Sequence, residues 1–201
     1  MPARPLIRFL LLAACCFAAR AQVIEFESNG LKYQTLTRAG VTVMFARMPV
    51  HVREYAIFQV AVSNGSQDSC VVRPEDFSFH RSNGVVVPAA PARNVVMELI
   101  EKGSRNDVIK MVSTYEAGLY GLSRLRSTNG YEQRRQAALA EVASTRLKAA
   151  AAASAVAFVS TRLKAGESTD GAVFFASEGK PLIGGRLVAR VAGQLFEFNP
   201  E

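Results

Sequence analysis

Apolar and polar residues alternate with a period of two over most of this chain, and one long interval breaks the rule. The strongest alternation is Glu54–Asn64. Ala56, Phe58, Val60 and Val62 fall on one side of an extended chain; Tyr55, Gln59 and Ser63 fall on the other, with Ile57 and Ala61 among them. Shorter runs of the same kind precede it at Val23–Glu27, Leu31–Thr37 and Val41–Arg47. Ser28-Asn29-Gly30 separates the first two as a hairpin signal, because Asn and Gly accept positive φ angles. Met48-Pro49 is expected to stop the third run, since proline lacks the ladder N–H. After Glu54–Asn64 come Cys70–Arg73, then Asp76–His80, then a Ser82-Asn83-Gly84 turn into Val85–Pro88.

From Ala92 to Ala155 the period changes. Arg93–Lys102 carries Val96, Leu99 and Ile100 at helical spacing, and Gly103 stops it. Ser104 and Asp107 form a capping box before a second helix, whose stripe is Val108, Met111, Val112, Tyr115 and Leu119. A third helix is predicted over about Tyr131–Ala155, rich in strong helix formers. Strands then resume at Val156–Leu163, Asp170–Ser177, Arg186–Ala192 and Gln194–Phe198. The segment Ser160–Ser177 is the expected partner of Glu54–Asn64. The predicted class is mainly β with an α insertion: an antiparallel sandwich interrupted by about three helices. The hexapeptide Ser-Thr-Arg-Leu-Lys-Ala occurs twice, at 144–149 and 160–165. The first copy reads as helix and the second as the end of a strand, so surroundings must decide between them.

The 201 residues are 49% hydrophobic, with twelve Phe, five Tyr and no Trp, enough to fill one core. The net charge of +7 is inflated by the first segment. Met1–Ala21 holds Arg4, Arg8 and Arg20 and no acid; without it 21 basic groups face 17 acidic ones, a dispersed excess that argues against nucleic acid. That segment has a basic start, an apolar run Leu10–Ala19 too short to span a bilayer, and Ala19-Arg20-Ala21. It reads as a signal peptide cleaved between Ala21 and Gln22, with residues 22–201 as the exported domain and 92–155 as its helical insertion. Leu12-Ala13-Ala14-Cys15 offers a competing lipidation site at Cys15, which would anchor the protein to a membrane. Cleavage before Gln22 leaves Cys70 alone, without a disulfide partner; it reads as a small buried hydrophobe.

The order of four motifs carries a resemblance. They are Val60–Gly65 ending in Asn-Gly; Pro74-Glu75-Asp76-Phe77 before the Ser82-Asn83-Gly84 turn; Leu163–Ser168 leading into Gly171–Phe175; and the closing pair within Leu187–Phe198. In this, Glu54–Pro88 with Thr161–Phe198 resembles the small immunoglobulin-like domains of many bacterial exported proteins and lipoproteins. The resemblance implies an adhesion, assembly or sensing module rather than an enzyme, and leaves the helical interval unexplained.

Catalytic and metal motifs do not emerge. His51 and His80 lack partners at ligand spacing, and the chain has no Gly-x-Ser-x-Gly elbow. Gly179–Gly185 lacks the Lys-Ser/Thr of a phosphate loop, and Glu75 and Asp76 would face opposite ways on a strand. No cofactor is implied. The expected role is a non-enzymatic protein-interaction or envelope-assembly module, exported to the periplasm or beyond. Its partner would be an envelope protein, with membrane contact only through a lipidated Cys15. Two alternatives stand: a small-ligand carrier or enzyme with a pocket between insert and sandwich, and a membrane-anchored structural lipoprotein. The insert either caps the sandwich or presents a surface. For the latter the binding candidates are Tyr115, Tyr120, Arg124, Arg126 and Tyr131, since Tyr and Arg dominate hot spots.

Overall fold

A computed structural model of the chain describes residues 22–121, 128, 130, 133 and 144–199. The fold is mainly β with helices. The strands are β1 (Ile24–Ser28), β2 (Leu31–Arg38), β3 (Val41–Val52), β4 (Tyr55–Asn64), β5 (Cys70–Val72), β6 (Phe77–Arg81), β7 (Val86–Ala90), β8 (Thr161–Leu163), β9 (Ser168–Ala176), β10 (Gly185–Val191) and β11 (Gln194–Phe198). The helices are α1 (Ala92–Lys102), α2 (Arg105–Gly121) and α3 (Thr145–Val156).

Nine strands join in one sheet, in the order β1-β2-β3-β4-β9-β7-β6-β10-β11, all pairs antiparallel. The strands expected to make two facing sheets are thus linked edge to edge in a half-barrel. The central joint is β4 with β9, paired from Tyr55↔Ala176 to Ser63↔Ser168, so the segments on either side of the helices share one sheet. β5 and β8 form a separate two-stranded ribbon.

The curl brings the far strands together over the concave face. Phe45 on β3 meets Phe198 on β11 edge-on at 4.8 Å, and Phe58 on β4 meets Phe175 on β9 at 5.4 Å. Ala56, Phe58, Val60 and Val62, the set singled out by period two, all lie in this core. Each such aromatic contributes about 1.5–3 kcal/mol through burial. The ribbon adds Val72 and Leu163, and Phe158 packs on Phe77 at 5.4 Å.

The convex face carries the helices. Ile57 and Phe174 project there and meet Val95 and Leu99 of α1 and Ala149, Ala150 and Ala153 of α3. The alanines allow close packing: a Cβ on Gly103 would lie 3.1 Å from the Ala149 Cβ and 2.3 Å from the Leu99 carbonyl oxygen. Hence β4 and β9 are buried on both faces, although antiparallel sheets often leave one face wet. Ile100, expected inward, is 37% exposed, and Val95 takes the inner place. The side chains of Met111 and Leu119 lie outside the described residues.

Local signals account for the joints. Asn29 and Gly30 have φ of 49° and 74°, the positive pair that a two-residue hairpin needs between β1 and β2. Ser104 and Asp107 form the expected capping box: the Ser104 amide donates to Asp107 Oδ2 at 2.9 Å, and the Asp107 amide donates to Ser104 Oγ at 3.3 Å. Boundaries differ from expectation, as at β3 and at the end of α3. β3 runs through Pro49 to Val52 because a bulge between Arg47 and His51 absorbs the proline. α3 runs through Val156, so only Thr161–Leu163 of the predicted strand Val156–Leu163 is strand; Ala157 makes a lone parallel bridge to Ala172.

Candidate functional site

The sheet has two terminal strands, and they are treated differently. At one end, β11 has no further strand beside it among the described residues, but the residue after it is tied back into the molecule. The Gln34 side-chain amide on β2 donates to the Asn199 carbonyl at 3.0 Å, just past β11. At the other end, β1 is hydrogen-bonded to β2 and has no further strand beside it among the described residues. Such an edge presents a row of backbone donors and acceptors to anything that can pair with it.

The sequence of β1, Ile-Glu-Phe-Glu-Ser, alternates cleanly, and the pleat separates the two sets. Ile24 and Phe26 point to the convex side, where they stay 62% and 37% exposed. Phe26 stacks on Tyr33 with ring centroids 5.2 Å apart, nearly parallel. Tyr33 is itself buried, and its hydroxyl donates to Gln59 Oε1 at 3.0 Å. Burial pushes the Tyr33 phenol up to about 12, so it stays a neutral donor at physiological pH.

Glu25 and Glu27 point to the concave side, across from Gln34 and Lys32 on β2. Glu25 accepts from the Gln34 amide. These residues, with Phe45, Arg47 and Pro49 of β3, line a half-open cleft of about 600 Å³ at the mouth of the half-barrel. Arg47 is held across the mouth by donating to the Leu182 carbonyl at 3.2 Å. A shallower groove, about 470 Å³, is lined by His80, Arg81, Arg186 and Asn199. There Arg186 pairs with Glu197 at 3.5 Å.

The cleft therefore joins an apolar floor, two carboxylates, two cations and an open backbone edge. It can grip an extended chain: the edge supplies ladder hydrogen bonds and the cleft receives alternate side chains. No lining residue of this cleft comes from the helices, so it differs from the insert–sandwich pocket expected of a carrier or enzyme. The histidines stand apart. His80 Nε2 lies 3.0 Å from Ser78 Oγ, and His51 sits opposite Ala56 on β3. Among the described residues, no three His, Cys, Asp or Glu side chains gather as a metal site, and no helix is long and apolar enough to cross a membrane. Cys70 is half-buried on β5, and burial raises its thiol pKa.

None of the residues named from sequence is among the described lining of the cleft. Tyr115 and Tyr120 lie on α2, with side chains outside the described residues. Arg124, Arg126 and Tyr131 lie outside the described residues, as do Cys15 and Ala21; Gln22 is described and exposed. The sequence predicts this strand, at Val23–Glu27, but names no binding residue on it. Its signal was the alternation of Glu with Ile and Phe, a composition that natural edge strands use to blunt self-association.

No protein-family model matches the sequence, and no curated protein matches it. Among solved structures, the yjhA protein from Bacillus subtilis is similar at 12% identity, over 83% of this chain and 77% of that one, with a TM-score of 0.34. A likeness of that depth carries no argument.

Proposed function

We propose that this protein is an exported, non-enzymatic interaction module of the cell envelope, and that it binds a partner by accepting an extended segment along β1. The observation that carries this reading is the β1 edge, which has no strand on its outer side among the described residues, with Ile24 and Phe26 exposed beside the cleft. Strand addition is a recurrent mode of peptide recognition, in which main-chain bonds supply affinity and pockets for alternate side chains supply selectivity. Export is supported by the basic-apolar-small pattern of Met1–Ala21. The order of the four turn and strand motifs supports kinship with immunoglobulin-like domains of exported proteins. Fold kinship alone does not name a role, so the edge carries the proposal.

A photo-crosslinking side chain at position 26 tests it in intact cell envelopes. The expected result is one dominant protein adduct from position 26 and none from position 120 on α2. Adducts from position 120 alone would move the interface to the helical segment, where Tyr115, Tyr120, Arg124, Arg126 and Tyr131 are the proposed contacts, and would overturn the edge reading.

A further inference from the structure

The chemistry of β1 narrows the class of strand it takes. In an antiparallel pair, residues directly opposite share a face and touch. A strand laid outside β1 therefore sets one alternate group of side chains beside Ile24 and Phe26, and the other beside Glu25 and Glu27. On the inner side the two carboxylates are already matched, Glu25 with the Gln34 amide and Glu27 in register with Lys32. Among the described residues no strand lies on the outer side of either. Both are exposed, so a cation there can be met without burying a bare charge.

A second copy of this chain is a poor occupant. Antiparallel self-pairing centred on Phe26 sets Glu25 of each copy against Glu27 of the other, and like charges directly opposite are destabilising. The same carboxylates that disfavour self-pairing favour a strand of opposite charge.

We infer that β1 accepts a heterologous strand alternating basic and apolar residues, with its Lys or Arg side chains beside Glu25 and Glu27 and its apolar ones beside Ile24 and Phe26. This inference rests on the strand-addition reading and names the partner's chemistry. The five residues of β1 fix the paired length at about five residues, or ~17 Å of extended chain.

The test uses a capped seven-residue peptide alternating Lys and Val, a Glu/Val peptide of the same length, and two N-methylated Lys/Val forms that block one or the other alternate set of amides. Binding is followed by fluorescence anisotropy. The Lys/Val peptide should bind, more weakly as salt rises, and one methylated form should lose binding while the other keeps it. The Glu/Val peptide should bind about tenfold more weakly. Glu25→Lys with Glu27→Lys should invert that preference; Glu25→Gln with Glu27→Gln should erase it without inversion, and far-UV circular dichroism reports whether each variant keeps its fold. Equal binding of both peptides, with alternate methyl sensitivity retained, overturns the charge inference and leaves strand addition standing. Equal sensitivity to both methylation patterns, or no binding of either peptide, overturns strand addition itself.

Discussion

The centre of the sheet and its β1 end are made from the same alternating pattern, yet they end in opposite environments. In β4, both alternate sets are buried: Phe58 under the concave core, Ile57 under the helices. In β1, Ile24 and Phe26 stay open and the other set is Glu. What separates them is coverage, not propensity. The helices and the far strands together close over β4 and β9, whereas β1 sits beyond both. The centre holds the core, and the proposed recognition surface lies at the end, as expected when binding elements sit on a rigid scaffold.

Substitutions can break this contrast, and the largest effects belong at the centre. Phe58→Ala should cost about 3–5 kcal/mol, read as a fall in the urea midpoint, because the void lies among Phe45, Phe79 and Phe175. Leu99→Ala should cost about 2–5 kcal/mol by the same measure, since α1 seals the convex face through this residue. A loss near zero would mean that the helices are appended to the sheet rather than packed into it. The same packing means that replacing 92–155 with a short loop would uncover Ile57 and Phe174.

Between centre and end lies Tyr33. Its folded pKa of about 12 stands above the ordinary value of 10.0. For a group raised on folding, the stabilisation is complete below the unfolded pKa and is lost as pH rises through the folded one. Unfolding free energy should therefore decline between about pH 10 and 12, and Tyr33→Phe should flatten that decline. An unchanged slope would show that the phenol is not buried in solution.

The smallest effect belongs to the edge. Phe26→Ser should change stability by under about 1 kcal/mol, because the ring is partly exposed and chiefly stacks on Tyr33. It should nonetheless abolish capture of a strand. A stability loss comparable to that of Phe58→Ala would place β1 in the core.

Much of the scaffold was legible in the residues, because period two and turn chemistry act locally. Asn29-Gly30 and the Ser104–Asp107 box each specify a geometry within four residues. The two copies of Ser-Thr-Arg-Leu-Lys-Ala show where local reading needs neighbours. At 144–149, Ser144 Oγ accepts from the Leu147 amide as an N-cap, and an alanine run follows. At 160–165, Gly166 follows at φ +79°, Glu167 accepts from the Lys164 amide, and Leu163 pairs with Cys70. Identical residues become helix or strand according to what comes next.

Sheet closure was not legible, because whether β7 pairs with β9 or begins a second sheet depends on contacts far apart in sequence, such as Ala89↔Phe175. The close approach of Phe158 to Gly171 was equally hidden: a Cβ there would lie 2.5 Å from the Phe158 Cα. The candidate site was missed for the same reason. The Glu alternation in Ile24–Ser28 hints at an edge, but it does not fix that β2 is its one neighbour among the described residues.

Amide hydrogen exchange across the whole protein tests the central claim most directly, measured with and without the Lys/Val peptide. Alternate β1 amides should exchange quickly in the free protein and slow on peptide addition, while β4 and β9 amides should be slow in both states. Protection confined to α2, or β1 amides already slow in the free protein and unmoved by peptide, would contradict that claim.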